Sequence, residues 1–329
     1  MHQPTVDDPT LSPFERRLAS RTPNASGGSI PSGSNRTSQQ HELPPSVNFH
    51  LWEPCNMRCR FCFATFQDVR AQVLPRGHLP KEAALRIVEM LCSHFQKITF
   101  AGGEPLLCPW LPELVQIAKE RGATTMVVTN GSQLTPERIA RLKGALDWVT
   151  LSIDSPFPAT HVAMGRAVQG RAIDPEVYIA TADRIRQAGM RFKVNTVVTS
   201  LNAGEDQGAF LRALRPERWK MLRVLPVEGQ NSGKVDSLLC SDEDFRGFVA
   251  RHQGLAAHGI ALIPEDNEDM RGSYAMVDPA GRFFDNAGGG HRYSGPILEA
   301  GIERAWSQVH FEMARFDQRG GRYDFGGGR

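Results

Sequence analysis

No run of apolar residues in the sequence approaches the ~20 needed to span a bilayer, and the first residues lack the basic-then-apolar order of a secretory leader. Both absences point to a cytoplasmic protein with no membrane partner. An excess of either charge is also missing, since 38 Lys and Arg face 36 Asp and Glu for a net charge of +2. That balance supplies no field for holding a nucleic acid polymer. Cysteine is scarce, six in 329 residues, too few for a disulfide frame in so long a chain, yet three of the six crowd into positions 55–62. Such clustering in a reducing compartment points to metal or catalytic use.

Residues 1–44 lack what builds a core. From Arg21 to Gln40 the only clearly apolar side chains are Ala25 and Ile30, so ordering the segment costs backbone entropy with almost nothing buried to offset it. A disordered tail is expected over 1–44, with two helical turns at 11–19 too short and too weakly apolar for a membrane anchor. From Ser46 onward, β-rich runs alternate with stretches of helical period. The runs are SVNFHLW (46–52), KITFA (97–101), TTMVVTN (124–130), DWVTLSID (147–154), RFKVNTVV (191–198) and RWKMLRVLP (218–226). After Pro80, Ala83, Ile87, Leu91 and Phe95 recur every four residues. Six strand–helix units predict parallel strands with right-handed crossovers. The expected fold is α/β, a partial (β/α)6 barrel over 45–264 with an irregular, Gly-rich extension over 265–329.

Residues two apart on a strand share a face. Asn48 and His50 therefore oppose Val47, Phe49 and Leu51, and Lys97 and Thr99 oppose Ile98 and Phe100. In the same way Ser152 and Asp154 oppose Leu151 and Ile153, while Lys193 and Asn195 oppose Phe192 and Val194. With the apolar faces against the helices, the polar faces line the interior and make a cavity for a polar ligand; half-exposed strands with one solvated face are the alternative. At the end of the first strand, C-N-M-R-C-R-F-C places Cys55, Cys59 and Cys62 in C-x3-C-x2-C spacing. Three thiolates on one loop hold three irons of a four-iron, four-sulfur cluster and leave the fourth iron open. A zinc site with His50 as fourth ligand, or three incidental thiols, also fits the residues. Cys92, Cys108 and Cys240 lie apart and read as ordinary buried cysteines.

The three cysteines, Phe61 before the last of them, and A-G-G-E-P at 101–105 together resemble the radical S-adenosylmethionine superfamily. Further segments narrow the resemblance to the viperin family of antiviral radical enzymes in its prokaryotic form: VVTNGS, SIDS, MGR at 164–166, FKVNTVV, VEGQN at 227–231, PEDNEDMRGSY at 264–274 and RGGRYDF at 319–325. Ala101 stands where the family often has Ser, and the closing tail lacks the family's tryptophan. The resemblance implies a [4Fe-4S] cluster on the three cysteines and S-adenosyl-L-methionine on Phe61, Gly102, Gly103, Glu104, Asn130 and Ser152, with Glu104 taking the methionyl ammonium. It implies a nucleoside triphosphate substrate on Asn48, His50, Lys97, Arg166, Lys193, Asn195, Lys220, Arg319 and Arg322, and an electron-donating reductase. Three lysines on three strands agree with it, because burying even one unpaired ammonium costs several kcal/mol; snorkelling at the barrel rim is the plainer reading of each alone. The implied reaction takes hydrogen from the ribose 4′-carbon and expels the 3′-hydroxyl with help from Tyr274. Its product is a 3′-deoxy-3′,4′-didehydro nucleotide, a chain terminator, with Arg319, Arg322 and Tyr323 closing over the substrate and the segment 286–295 nearest the base. A GTP-modifying or peptide-modifying radical enzyme, or a zinc-stabilised binding module, are the alternatives.

Overall fold

The structure is a computed structural model and describes residues 42–326. The tail expected over 1–44 falls, but for its last three residues, outside the described residues. Strands β1 (Ser46–Trp52), β2 (Lys97–Gly102), β3 (Thr124–Thr129), β4 (Trp148–Ser152), β5 (Arg191–Val198) and β6 (Arg218–Arg223) form where the sequence pattern put them and run parallel in chain order. Helices cover their outer face. Lys81–Cys92 buries Ala84, Ile87, Val88 and Leu91, and Leu111–Glu120 buries Leu111, Leu114, Val115 and Ala118 at i, i+3, i+4, i+7 spacing. On the strands, Phe49, Phe100, Val149, Phe192 and Trp219 are at most 1% exposed.

Two departures matter for the site. A seventh parallel strand, β7 (Ala261–Glu265), pairs with β6 and straddles the expected barrel boundary. Its short, proline-containing sequence carries little strand pattern. The extension is also more regular than expected. Strand β8 (Met276–Val277) lies parallel on the other edge of β1, and β9 (Arg282–Asp285) and β10 (Arg292–Pro296) continue the sheet antiparallel, in the order β10-β9-β8-β1-β2-β3-β4-β5-β6-β7. An uncovered β1 edge would offer unpaired backbone groups to any passing strand.

The parallel sheet is curled. Neighbouring strands lie ~4.8 Å apart, so a flat sheet would separate β2 from β6 by roughly 19 Å. Yet the single side chain of Tyr323 accepts a 2.5 Å hydrogen bond from Lys97 on β2 and stacks 3.9 Å from the Arg218 guanidinium on β6. The curl encloses a chamber of about 940 Å³ lined by the polar strand faces, among them Asn48, His50, Thr99, Ser152, Asn195 and Lys220. That volume is at the upper end for a small-molecule site and leaves room for two ligands.

Candidate active site

At the C-terminal ends of the strands, Cys55, Cys59 and Cys62 line the chamber as free thiols. Burial pushes Cys55 up to about 11 and Cys59 up to about 12, and raises Cys62. Such thiols ionise in place only with a strongly electron-accepting partner. The donor set fits an iron–sulfur cluster. Among the described residues no three His, Cys, Asp or Glu side chains converge on one metal position. His50, the fourth ligand of the zinc reading, packs edge-on against Phe63, Phe66 and Phe284, and burial holds it neutral, down to about 3. Both of its ring nitrogens lack a partner among the described residues.

Each limb of the cysteine loop is tied to a different part of the barrel. Asn130, after β3, donates to Asn56 at 2.9 Å, and Asn56 donates to Ser132 at 2.8 Å. The amides of Arg58 and Arg60 donate to the carbonyls of Gly165 and Met164 at 3.2 and 3.0 Å. Gly165 has φ +77, and a Cβ there would strike the Arg58 carbonyl. The loop after β2 packs as closely, with Gly103 donating to the Trp52 carbonyl at 2.5 Å. A Cβ on Gly102 or Gly103 would collide with the backbone of 52–54. These two glycines therefore make room for the chain itself as well as line the chamber.

Three expected site residues sit elsewhere than the resemblance implied. Glu104 is fully buried and off the chamber wall; its carboxylate accepts from Thr129 Oγ1 at 2.7 Å and from the amides of Leu106 and Asn130 at 3.1 and 2.8 Å. Three of about four acceptor positions are thereby taken by the chain. Arg166 lies beside the cysteine loop rather than among the lysines, paired through Nε with the buried Asp154 and 5.4 Å over the Phe61 ring. Arg322 is exposed and bonds Asp317 at 2.8 Å. Tyr323, the next residue, is the one that turns inward, onto Lys97 and Arg218.

The other end of the chamber is cationic. Lys97, Lys193, Lys220 and Arg319 are each at most 8% exposed. Burial and mutual repulsion hold Lys97 and Lys193 well below the ordinary lysine value. Lys220, offset by Glu265, is lowered to about 8. Glu265, to which the sequence pattern gave no role, is among the described residues the one carboxylate this cluster shares. It accepts from Lys220, from the Tyr274 hydroxyl and, at 3.3 Å, from Arg319, and these cations hold it down to about 2. Lys220 also donates to Tyr274 Oη at 2.9 Å, and Arg319 lies 3.6 Å over the Tyr274 ring and donates to the Ser273 carbonyl at 2.7 Å. Arg218, likewise given no role, and Asn195, whose Oδ1 is unpartnered among the described residues, line the same end. A carboxylate at the end of β7 was the available signal, because three buried ammonium groups need a counter-charge.

Residues 52–207 match the model of the radical SAM superfamily. An S-adenosylmethionine-dependent nucleotide dehydratase of Flammeovirga pacifica is 48% identical over 88% of this chain and 99% of its own. One of the same name from Lacinutrix mariniflava is 48% identical over 85% of this chain, which spans only 59% of that relative. Streptococcus suis SuiB, solved with S-adenosylmethionine, shares the fold at TM-score 0.64 and 15% identity, over 85% of this chain and 68% of that one. No described helix is long and apolar enough to cross a membrane. The chain therefore belongs to the S-adenosylmethionine-dependent nucleotide dehydratases, the viperin-like family of the radical SAM superfamily.

Proposed function

We propose that this chain converts a nucleoside triphosphate to its 3′-deoxy-3′,4′-didehydro form, a chain terminator suited to antiviral or antiphage defence. The observation that carries the reading is one chamber with three thiols at one end and buried cations from β2, β5, β6 and the C-terminal extension at the other. A bound [4Fe-4S] cluster with S-adenosylmethionine supplies one-electron chemistry that ends in hydrogen abstraction, the electrons coming from a reductase. The protein supplies placement. Cys55, Cys59 and Cys62 would hold three irons. Arg166, kept in position by Asp154, and Ser152 at the end of β4 would meet the methionyl carboxylate, above Phe61; Asn130 and the Gly102–Gly103 turn would frame the rest, with Glu104 holding that turn.

Lys97, Lys193, Lys220, Arg218 and Arg319 would grip the triphosphate as separate charges, since no phosphate-cradling Gly-rich loop is present. Phosphates at that end put the ribose mid-chamber near Asn48 and Asn195. Tyr274 Oη, bonded to both Lys220 and Glu265, would give a proton to the departing 3′-hydroxyl and be resupplied by the Lys220 ammonium. The extension 265–329 is then part of the substrate end, because it contributes Glu265, Tyr274 and Arg319. Anaerobic incubation with S-adenosylmethionine, reductant and each of the four ribonucleoside triphosphates tests the reading. One of them should lose a single water, and substrate deuterated at the 4′-carbon should pass its label to 5′-deoxyadenosine. Dehydrated nucleotide alongside unlabelled deoxyadenosine would overturn it.

A further inference from the structure

The third limb of the cysteine loop is fastened by two side chains about 170 residues away. Gln230 and Asn231 are 6% and 2% exposed. The Asn231 amide donates to the carbonyl of Phe61, the residue before Cys62, at 3.1 Å and to the Leu225 carbonyl at 3.0 Å, while its oxygen accepts from the Val227 amide at 2.8 Å. On the other side of Cys62, Gln230 Oε1 accepts from the amides of Thr65 and Phe66, both at 2.9 Å, and from Thr65 Oγ1 at 2.8 Å. Gln230 Nε2 donates to Asp68 at 3.0 Å, and Asp68 accepts from the Tyr293 hydroxyl at 2.6 Å. Phe66 has φ +50, a conformation a non-glycine residue holds only when its surroundings impose it.

The limbs of Cys55 and Cys59 are tied within the barrel, by Asn130 and by the 164–165 carbonyls. The Cys62 limb is tied to a segment that is itself joined to the extension, where the Glu228 amide donates to the Gly289 carbonyl at 2.9 Å. We propose that Gln230 and Asn231 are positioning residues for the third thiolate: they fix Cys62 from both sides and make its placement depend on the extension that borders the substrate end. The proposal rests on the reading of the three cysteines as cluster ligands. A buried amide that loses its only acceptor is costly, so an apolar replacement releases the limb, not merely the contact.

The test compares Gln230→Met, Asn231→Leu and the double change Gln230→Glu with Asp68→Asn, which exchanges amide and carboxylate and keeps the hydrogen-bond complement. After identical anaerobic reconstitution, iron content, the rate of iron loss to a chelator, and the electron paramagnetic resonance of the reduced cluster with and without S-adenosylmethionine are measured. Gln230→Met and Asn231→Leu should lose iron faster by on the order of tenfold, the effect of unsatisfied buried amides, and give an altered resonance. The double variant should stay within about twofold of the unmodified protein. Unmodified protein that takes up no four-iron cluster would defeat the cysteine assignment and with it this proposal. A loaded unmodified protein whose apolar variants match it in iron loss and resonance would defeat the clamp alone. If Gln230→Met does not fold by circular dichroism, Gln230→Ala, whose gap admits water, replaces it with the same expected direction and the same overturning result.

Discussion

The two ends of the chamber make opposite electrostatic demands. At the cysteine end, burial raises the thiols, and the Arg166 guanidinium beside them is paired with Asp154. At the lysine end, burial works against cations gathered in excess around one carboxylate, Glu265. In the proposed function the first end would be completed by a metal that accepts electron density and the second by an anion. On that assignment charge alone would orient a nucleotide with its phosphates away from the iron. A closed eight-stranded barrel fills its interior with branched apolar side chains; here the interior is given over to this separation.

The comparison breaks most completely at the cysteines. Cys59→Ala should abolish 5′-deoxyadenosine formation, whereas Cys92→Ser and Cys108→Ser, whose thiols do not line the chamber, should leave it measurable by chromatography. Next comes the junction of the two ends. Tyr274→Phe should lower dehydrated product by on the order of 10²-fold while 4′-deuterium still reaches deoxyadenosine, because loss of a proton donor impairs departure of the hydroxyl more than abstraction. If both fall together, Tyr274 only packs the ribose. Lys193→Ala, at the cationic end, should raise the nucleotide KM about ten- to a hundred-fold, since a charge-assisted contact is worth roughly 1.5–3 kcal/mol. A nucleoside without phosphates that serves as well as its triphosphate contradicts the assignment of that end.

The smallest effect sharpens the comparison. Free Lys220 titrates at about 8, and phosphates would raise it toward its ordinary value. Between those two values the bound form carries a proton that the free form lacks, so affinity should fall as pH rises above 8. The fall is about tenfold per pH unit for each proton taken up. Lys97 and Lys193, also depressed, add in the same direction. Calorimetry in buffers of different ionisation enthalpy reads the uptake directly; binding heats that do not depend on the buffer would contradict it.

Period-two alternation was enough to read six strands and the inward set Asn48, His50, Lys97, Lys193 and Asn195, because buried parallel strands must sort their residues by face. It failed at β7, whose Ala-Leu-Ile-Pro-Glu run shows no apolar–polar alternation and carries a proline, and so Glu265 was given no role. Side-chain direction beyond the strands was also illegible. Arg166 and Arg322 belong to loops, where sequence order does not say which partner a guanidinium will reach. Gln230 and Asn231 serve a loop far away in the chain, and local pattern carries no trace of such a partnership.

Strand β1, which delivers the cysteines, is paired on one edge by β2 and on the other by β8, through Asn48 with Met276 and Phe49 with Val277. A growing chain makes the first pairing early and the second only after more than 220 further residues have been joined. Until then the cysteine loop follows a strand with one bare edge, open to wrong pairing. Slowing synthesis after β1 should lower the yield of loaded enzyme even when every residue of the finished chamber is unchanged.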